Sequence, residues 1–222
     1  MLVHIKRILG AQELDQLRAG MAVAEFVDGS MTAGHHAKRV KQNQQIAAGS
    51  PAEQELGRIV LQALQRSPRF MASALPRKLS PPMFSRYTPG MTYGTHVDNA
   101  IRMQPRMRTD ISATLFLCAP ETYDGGELVI EDTFGQRRVK LPAGDLVLYP
   151  STSVHKVEPV TRGTRYASFF WIQSMVREDS HRTMLFELDN SIQQLGRDMP
   201  QHPAVVQLAG LYHNLLRLWA DA

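Results

Sequence analysis

The stretch that decides the fold is residues 111–149, ISATLFLCAPETYDGGELVIEDTFGQRRVKLPAGDLVLY, in which short apolar runs alternate with turn signals. The runs predict strands over residues 111–118, 127–130, 137–141 and 145–149, and a further strand over 165–172. Glycine-containing turns separate them, at Asp124-Gly125-Gly126, Pro142-Ala143-Gly144 and Thr161-Arg162-Gly163. Short strands at roughly ten-residue intervals predict an antiparallel sandwich or barrel.

Helical patterns flank this β region. A helix is predicted over residues 12–22, and Ser50-Pro51-Ala52-Glu53 starts another, with serine as N-cap, proline at the first helical position and glutamate closing a capping box. Residues 28–48 between them are polar and are interpreted as a loop with little regular structure. After residue 173, a helix capped at Asp179-Ser180 and ended by Met199-Pro200 is followed by one from Pro203, which predicts an appended helical hairpin.

Bulk composition restricts the class of protein. The chain has 222 residues, 43% of them apolar and 21% charged, which is typical of a soluble globular domain with a small appendage. There is no apolar run of the length that spans a bilayer and no secretory signal pattern. Cys118 is the only cysteine, which fits a reducing compartment. We therefore expect a cytoplasmic protein that does not bind a membrane.

A split set of metal-ligating residues points to the chemistry. His96 and Asp98 are two residues apart, so on an extended strand both side chains point to one face, and a return strand can bring His155 opposite them. Two imidazoles and one carboxylate suit Fe(II), but also Mn, Co or Zn. Arg165 shares a strand face with Ala167 and Phe169. If that face is interior, the guanidinium requires an anionic partner such as a dicarboxylate.

The surrounding pattern narrows this interpretation. The chain contains Tyr87-x-x-Gly90-x-x-Tyr93-x-x-His96-x-Asp98-Asn99, then Gly125-Gly126-Glu127-Leu128, Gly144-Asp145, His155 and Gly163-x-Arg165. In this order the motifs resemble Fe(II)/2-oxoglutarate dioxygenases of the prolyl and lysyl hydroxylase type, and more narrowly the bacterial PKHD-type hydroxylases linked to iron uptake. The resemblance covers residues 80–175.

This resemblance implies a fold and a domain division. The fold is a double-stranded β-helix, or jelly roll, with flanking helices and a C-terminal helical hairpin. Residues 1–178 would form the catalytic domain, with a helical part over 1–69 and a β core over 70–178, and residues 179–222 the helical extension.

The resemblance also implies roles for individual residues. His96, Asp98 and His155 would hold Fe(II), and Arg165 would bind the C5 carboxylate of 2-oxoglutarate, with Tyr87 hydrogen-bonding the co-substrate near the metal. Dioxygen would be the second co-substrate, and succinate and CO2 the products. L-Ascorbate is implied at the level of the family only.

One departure from the family concerns the C5 carboxylate. Some relatives supply a tyrosine from the strand after the His-x-Asp step, where this chain has Thr114-Leu115-Phe116. If Phe116 takes that position the hydroxyl is missing, and Thr114 is the nearest substitute.

Other chemically active side chains are interpreted as structural or superficial. This interpretation covers five histidines, His35, His36, His181, His202 and His213. Arg102, Arg106 and Arg108 could line the mouth of the site, although a solvated loop is the favoured interpretation. Cys118 is interpreted as a small buried hydrophobe, and Tyr93 as structural or facing the substrate.

Alternatives stay open at this point. A non-catalytic iron and 2-oxoglutarate sensor would keep the same residues, and a cupin-like metalloenzyme would not need Arg165. A nucleic-acid demethylase is permitted by the basic first half, but no nucleic-acid-binding motif is present, so no nucleic-acid partner is expected. The expected substrate is a small molecule or a peptidyl side chain. The apolar C-terminal helices suggest a homodimer.

Overall fold

A computed structural model describes residues 1–32, 34, 37–132 and 135–221. Its helices are α1 (Ala11–Val23), α2 (Pro51–Gln65), α3 (Pro68–Ala74), α4 (Asp179–Asp198) and α5 (Pro203–Trp219). Its strands are β1 (Val3–Ile5), β2 (Phe26–Asp28), β3 (Lys41–Gln42), β4 (Gln44–Ile46), β5 (Pro76–Leu79), β6 (Met83–Tyr87), β7 (Thr92–His96), β8 (Ile101–Met103), β9 (Arg106–Arg108), β10 (Ile111–Phe116), β11 (Tyr123–Gly125), β12 (Leu128–Asp132), β13 (Gly135–Val139), β14 (Leu146–Pro150), β15 (His155–Val157), β16 (Val160–Gly163) and β17 (Arg165–Ser174).

Two antiparallel sheets form the body of the molecule. The larger has the order β1-β14-β10-β17-β6-β4-β2, with β5 also paired to β17, and the smaller has the order β13-β12-β15-β7-β3. Their facing sides share an apolar cluster in which Phe116 and Tyr149 of the larger sheet meet Leu128 and Ile130 of the smaller. This is the predicted jelly roll with flanking helices.

The strand alternation that the sequence shows places one face of each strand inside. On β10, Leu115 points to the outer core while Phe116 joins the core between the sheets. On β17, Arg165, Ala167 and Phe169 line the cavity between the sheets, which confirms the face they were predicted to share. The five predicted strands are all present, with ends shifted by a few residues.

Helices α1, α2 and α3 cover the outer face of the larger sheet. Leu17, Leu64 and Phe70 are buried there against Phe84 and Phe170. Complete burial of such a side chain contributes about 1.5–3 kcal/mol. This layer fixes the position of β6 and β17, which carry Tyr87 and Arg165.

The start of α2 departs slightly from the predicted capping box. The Ser50 hydroxyl accepts from the Glu53 backbone N–H at 3.2 Å, as predicted. The Glu53 carboxylate accepts from the N–H of Gly49 at 2.6 Å rather than from Ser50. The Ser50 N–H is already bonded to the Ala47 carbonyl at 3.2 Å, so the carboxylate reaches one residue further.

The interpretation of residues 28–48 as a loop was wrong. Strand β3 pairs with β7 through Lys41 and Tyr93, and β4 pairs with β6 through Gln44 and Arg86, so the segment joins both sheets. These strands are two and three residues long and mostly polar, so they lack the alternation that reveals a strand. The part predicted as helical, 1–69, therefore contributes β1 to β4 as well, and α3 crosses residue 70. His35 and His36 lie outside the described residues.

The C-terminal extension is the predicted pair of helices. Leu185 of α4 is buried together with Leu75 and Val176, and Tyr212 and Trp219 of α5 pack against this cluster. Within the part of the chain that the structure describes, no helix is long and apolar enough to cross a membrane.

A buried arginine anchors α4 to the β domain. Arg182 is 2% exposed. Its Nη1 donates to the carbonyls of Val176 at 2.8 Å and Arg177 at 2.6 Å, and its Nη2 donates to the Asp179 carboxylate at 3.0 Å. The residues that lead from β17 into the hairpin are thus held by a single side chain.

Replacing this arginine should loosen the hairpin. Arg182→Met keeps the apolar stem but leaves two carbonyls without donors, and we expect the free energy of unfolding to fall by about 2–4 kcal/mol. Chemical denaturation would measure the change. Arg197→Met, at an exposed position of the same helix, is the control and should change stability by less than about 0.5 kcal/mol. Equal stability of the two variants would contradict the anchoring role.

Candidate functional site

A cavity between the two sheets, here called the central cavity, brings together the residues that the sequence singled out. Its lining includes Tyr87, His96, Asp98, His155 and Arg165. They come from four separate segments of chain, since His96 and Asp98 share one, and the sheet pairing brings these segments to one place. The five residues predicted as site residues are therefore neighbours.

Two adjacent strands place the histidines. His96 ends β7 and His155 begins β15, and the two are directly paired across the antiparallel ladder. One ligand atom from each of His96, Asp98 and His155 can be chosen so that all three lie within 4.8 Å of one another. Because β7 ends at His96, Asp98 lies beyond the strand, so strand parity does not account for its position.

A hydrogen-bond chain positions Asp98 instead. The Ser112 hydroxyl donates to Asp98 Oδ2 at 2.6 Å, and the hydroxyls of Ser112 and Ser151 are 2.7 Å apart. Since the single proton of Ser112 points to the carboxylate, Ser151 must donate to Ser112. Sequence reasoning missed both serines. The only signal was the inward parity of Ser112 with Phe116 on the predicted strand.

Backbone carbonyls set the tautomer of both imidazoles. His96 Nδ1 lies 2.8 Å from the Gly94 carbonyl, and His155 Nδ1 lies 3.0 Å from the Ser153 carbonyl. A carbonyl can only accept, so in a neutral ring Nδ1 carries the proton and Nε2 keeps its lone pair. The His155 Nε2 lies 3.8 Å from Asp98 Oδ2, so this lone pair is directed to the shared centre. Histidines that ligate metals are commonly oriented in this way.

Burial keeps His96 neutral, and aromatic contacts fix the rings of both histidines. Burial lowers the pKa of His96 to about 4, neighbouring His155 lowers it further, and the bond to Gly94 opposes this in part. Neutral imidazole is the form that binds a metal. The Tyr93 ring stacks on His96 at 3.6 Å between centroids, and Tyr149 meets His155 edge-on at 5.1 Å. Tyr93 therefore supports His96, and it also lines the central cavity, so its position fits both interpretations offered for it.

Arg165 is the unusual charge of the cavity. It is 2% exposed, and its guanidinium lies over the rings of Tyr87 at 5.2 Å and Phe116 at 5.6 Å. Among the described residues no carboxylate forms an ion pair with it, and its Nε has no hydrogen-bond acceptor. A buried cation without an anion is costly, so the arrangement is complete only with an anionic ligand.

Three hydroxyl groups surround this end of the cavity. Burial raises the pKa of Tyr87, so its hydroxyl stays protonated, and the Asn43 side chain lies beside it. Thr114 lines the cavity beside the Tyr149 side chain. Tyr123, which sequence reasoning missed, is buried next to Arg165, and burial raises its pKa to about 12 although Arg165 opposes the rise.

These positions show what surrounds Phe116, where the chain lacks the hydroxyl group that some relatives have. Phe116 is fully buried and contacts Arg165 with its ring face, so it supplies no hydroxyl there. Among the described residues, no group meets the distance and angle of a hydrogen bond to the Tyr123 hydroxyl. Tyr123 is thus a second candidate, beside Thr114, for the hydroxyl that relatives place on the strand after the His-x-Asp step.

The three arginines after Asp98 have different environments. Arg106 is exposed to solvent as predicted, but it lies on β9 and not in a loop. Arg108 pairs with Asp110, with Nε 2.5 Å from Oδ1. Arg102 lines the central cavity, so for this residue the favoured interpretation was wrong.

Histidines outside the cavity behave as predicted where the structure describes them. His181 stacks on Trp219 at 4.2 Å between ring centroids, and His202 accepts from the Ala204 N–H at the start of α5. His213 meets the neighbouring Tyr212 ring edge-on at 5.3 Å.

Comparisons with known proteins cover both parts of the chain. Residues 82–173 match the 2OG-Fe(II) oxygenase superfamily, and residues 179–221 match the PKHD-type hydroxylase C-terminal domain. A PKHD-type hydroxylase of Pseudomonas aeruginosa is 55% identical over 225 residues, and one of Xanthomonas campestris is 56% identical over 227 residues. Both alignments cover 100% of each chain.

Solved structures share the fold at lower identity. A prolyl-4-hydroxylase of Pseudomonas putida superposes with a TM-score of 0.54 and 22% identity, covering 78% of this chain and 92% of that one. A Trichoplax adhaerens prolyl hydroxylase, in complex with a hypoxia inducible factor oxygen degradation domain peptide fragment, gives a TM-score of 0.56 at 16% identity, covering 83% and 86%. These likenesses establish the jelly-roll fold.

The family follows from the full-length relatives, because alignments at 55% and 56% identity span 100% of both chains, the β core and the helical extension included. Membership of the superfamily implies Fe(II) and 2-oxoglutarate, and the donor set around His96, Asp98 and His155 is chemically suited to the metal. The chain belongs to the PKHD-type hydroxylases, a family of 2OG-Fe(II) dioxygenases.

Proposed function

We propose that this chain hydroxylates a substrate carbon with Fe(II), 2-oxoglutarate and dioxygen, and that the reaction releases succinate and CO2. The observation that carries the proposal is the buried Arg165, a cation without a carboxylate partner in the same cavity as the three candidate metal ligands. When bound, Fe(II) supplies the activation of dioxygen. The protein supplies geometry and exclusion of water.

His96, Asp98 and His155 hold the metal in this proposal. Their donor atoms are two neutral imidazole nitrogens and one carboxylate oxygen, the protein ligand set of non-haem Fe(II) oxygenases. Three ligands on one side leave positions for a chelating co-substrate and dioxygen. The bonds from Ser112 to Asp98 and from each imidazole to a carbonyl hold the ligands before the metal arrives.

Arg165 and Tyr87 hold 2-oxoglutarate in this proposal. The Arg165 guanidinium binds the C5 carboxylate with both arms, and this carboxylate is the anionic partner that none of the described residues provides. Tyr87 is paired with Arg165 across β6 and β17, and its protonated hydroxyl donates to the co-substrate. Aromatic walls around the guanidinium exclude water and strengthen the ion pair.

Product analysis tests the proposal. Purified protein loaded with Fe(II) should convert 2-oxoglutarate to succinate and CO2, slowly without the prime substrate because the reaction then runs uncoupled. Parallel reactions with and without L-ascorbate would show whether it sustains turnover. If the protein binds 2-oxoglutarate without oxygen but never yields succinate, even with candidate substrates, the chain is the sensor of the alternative interpretation.

Removing the Arg165 guanidinium should abolish tight binding of the co-substrate. Arg165→Met keeps the apolar stem, and losing a bidentate charge-assisted pair of roughly 3 kcal/mol or more predicts a dissociation constant at least about 100-fold higher. Anaerobic titration calorimetry of the metal-loaded protein with 2-oxoglutarate would measure it. Arg162→Met is the matched control, since Arg162 is exposed and pairs with Asp124. An unchanged affinity in Arg165→Met would exclude its assigned role.

Removing the Ser112 hydroxyl should lower the affinity for the metal rather than the affinity for 2-oxoglutarate. Ser112→Ala removes the donor to Asp98, and loss of such an outer hydrogen bond lowers metal affinity by about 10–100-fold. Competition with a metal-binding dye gives the affinity for Fe(II) or Mn(II). Ser168→Ala on β17 is the control, because the Ser168 hydroxyl is buried without a partner among the described residues. If Ser112→Ala and Ser168→Ala bind the metal equally well, the hydrogen bond from Ser112 does not position Asp98 for metal binding.

A further inference from the structure

One wall of the central cavity carries two further cations set on aromatic rings. Lys41 Nζ lies 5.1 Å from the ring centre of Tyr93 and 5.4 Å from that of Phe169. The Arg102 guanidinium carbon lies 4.4 Å from the ring centre of Trp171, and Phe169 and Trp171 meet edge-on at 5.6 Å. We call Lys41, Arg102, Phe169 and Trp171 the cationic wall; all four line the cavity.

In the proposed function, no residue of the cationic wall binds the metal or 2-oxoglutarate. Arg165 already serves the C5 carboxylate in the proposed function, and the metal takes its ligands from His96, Asp98 and His155. Lys41 is 6% exposed, so a strongly hydrated ammonium has been brought largely out of water. Partial burial of two cations in one small cavity costs free energy, and the stability of the fold gives no reason for that cost.

Acidic groups act on both cations of the wall. Asp98 and Asp28 attract Lys41, and Asp98 and Glu53 attract Arg102, while the two cations repel each other. Among the described residues, no carboxylate lies within ion-pair distance of Arg102. Asp98 is shared between both cations and is also the proposed metal ligand. A divalent metal on Asp98 would offset its charge and leave the wall more positive.

The wall also offers hydrogen-bond donors without acceptors. Arg102 Nε and Trp171 Nε1 are buried and have no partner among the described residues. A buried donor without an acceptor costs about 1–3 kcal/mol, so a ligand rich in acceptors would be favoured here. Both groups can only donate. The positive charge and the unpaired donors therefore both favour an anionic ligand that is rich in hydrogen-bond acceptors.

We propose that the prime substrate carries an anionic oxygen group, a carboxylate or a phosphate, which Arg102 and Lys41 bind while an apolar part of the substrate lies against Phe169 and Trp171. This rests on the proposed function and names the substrate class for the same site. A lysyl ammonium is disfavoured as the substrate group, since it would face two like charges.

Three matched probes test the charge preference. 4-Methylbenzoate, 4-methylbenzamide and 4-methylbenzylamine are close in shape and differ in charge, and 4-methylphenyl phosphate distinguishes a phosphate from a carboxylate. Each is titrated into protein loaded with Mn(II) and saturating 2-oxoglutarate, without oxygen, and followed by calorimetry. Binding of 2-oxoglutarate is measured first. Its failure would refute the proposed function, whereas the probe series judges only the substrate class.

One anionic probe should bind at least about tenfold more tightly than the amide, the effect of one charge-assisted hydrogen bond, and the amine should bind least. Arg102→Gln and Lys41→Met should each remove this preference while the affinity for 2-oxoglutarate stays within about twofold, which also shows that the variants are folded. Arg106→Gln, at an exposed position of β9 that pairs with Met103 of β8, should behave as the wild type. Equal binding of all probes, no binding of either anion, or a preference that survives both variants overturns the proposal.

Discussion

Arg165 carries a full positive charge into the space between the two sheets, and the described part of the protein provides no carboxylate to neutralise it. Desolvating a guanidinium costs several kcal/mol, and aromatic faces return only part of that. The surrounding structure must overcome this cost, which it does with the apolar layers on both sides of the larger sheet. A site of this kind is stable in the protein and complete only with its ligand.

The metal end of the cavity is organised by the opposite means. There each proposed ligand is already hydrogen-bonded by the protein: His96 and His155 to backbone carbonyls, and Asp98 to Ser112. The direct pairing of β7 with β15 makes the two imidazoles neighbours without any special loop. Pre-positioned donors at one end and an unsatisfied cation at the other favour a ligand that is both a chelator and a dianion. 2-Oxoglutarate has both properties.

Much of this could be predicted from the sequence because β10 and β17 are apolar runs bounded by turn residues, and residues two apart on such a strand share a face. Alternation predicted the face that Arg165 shares with Ala167 and Phe169, and the structure shows that this face is the inner one. Asp98 lies beyond its strand, and a tertiary hydrogen bond rather than parity determines where its carboxylate points. Strands β3 and β4 are short and polar and exist only because β7 and β6 pair with them. Lys41 could therefore not be placed in the cavity by any local pattern.

The two helices of the C-terminal extension are easier to predict from the sequence than the cavity. Its caps and apolar spacing predict two helices, and Arg182 then ties them to the end of β17 through carbonyls that no side-chain pattern reveals. The extension is matched as a domain of its own in the family, but the Leu75, Val176 and Leu185 cluster makes it continuous with the catalytic part.

In the proposed function, one cavity binds a metal at His96, Asp98 and His155 and an anion at Arg165. A crystal structure of the protein grown without oxygen, with Fe(II) and 2-oxoglutarate, would show both sites at once. We expect the metal on the Nε2 atoms of both histidines and on the Asp98 carboxylate, with the C5 carboxylate of 2-oxoglutarate on Arg165. A metal held by other residues, or a C5 carboxylate bound away from Arg165, would contradict it.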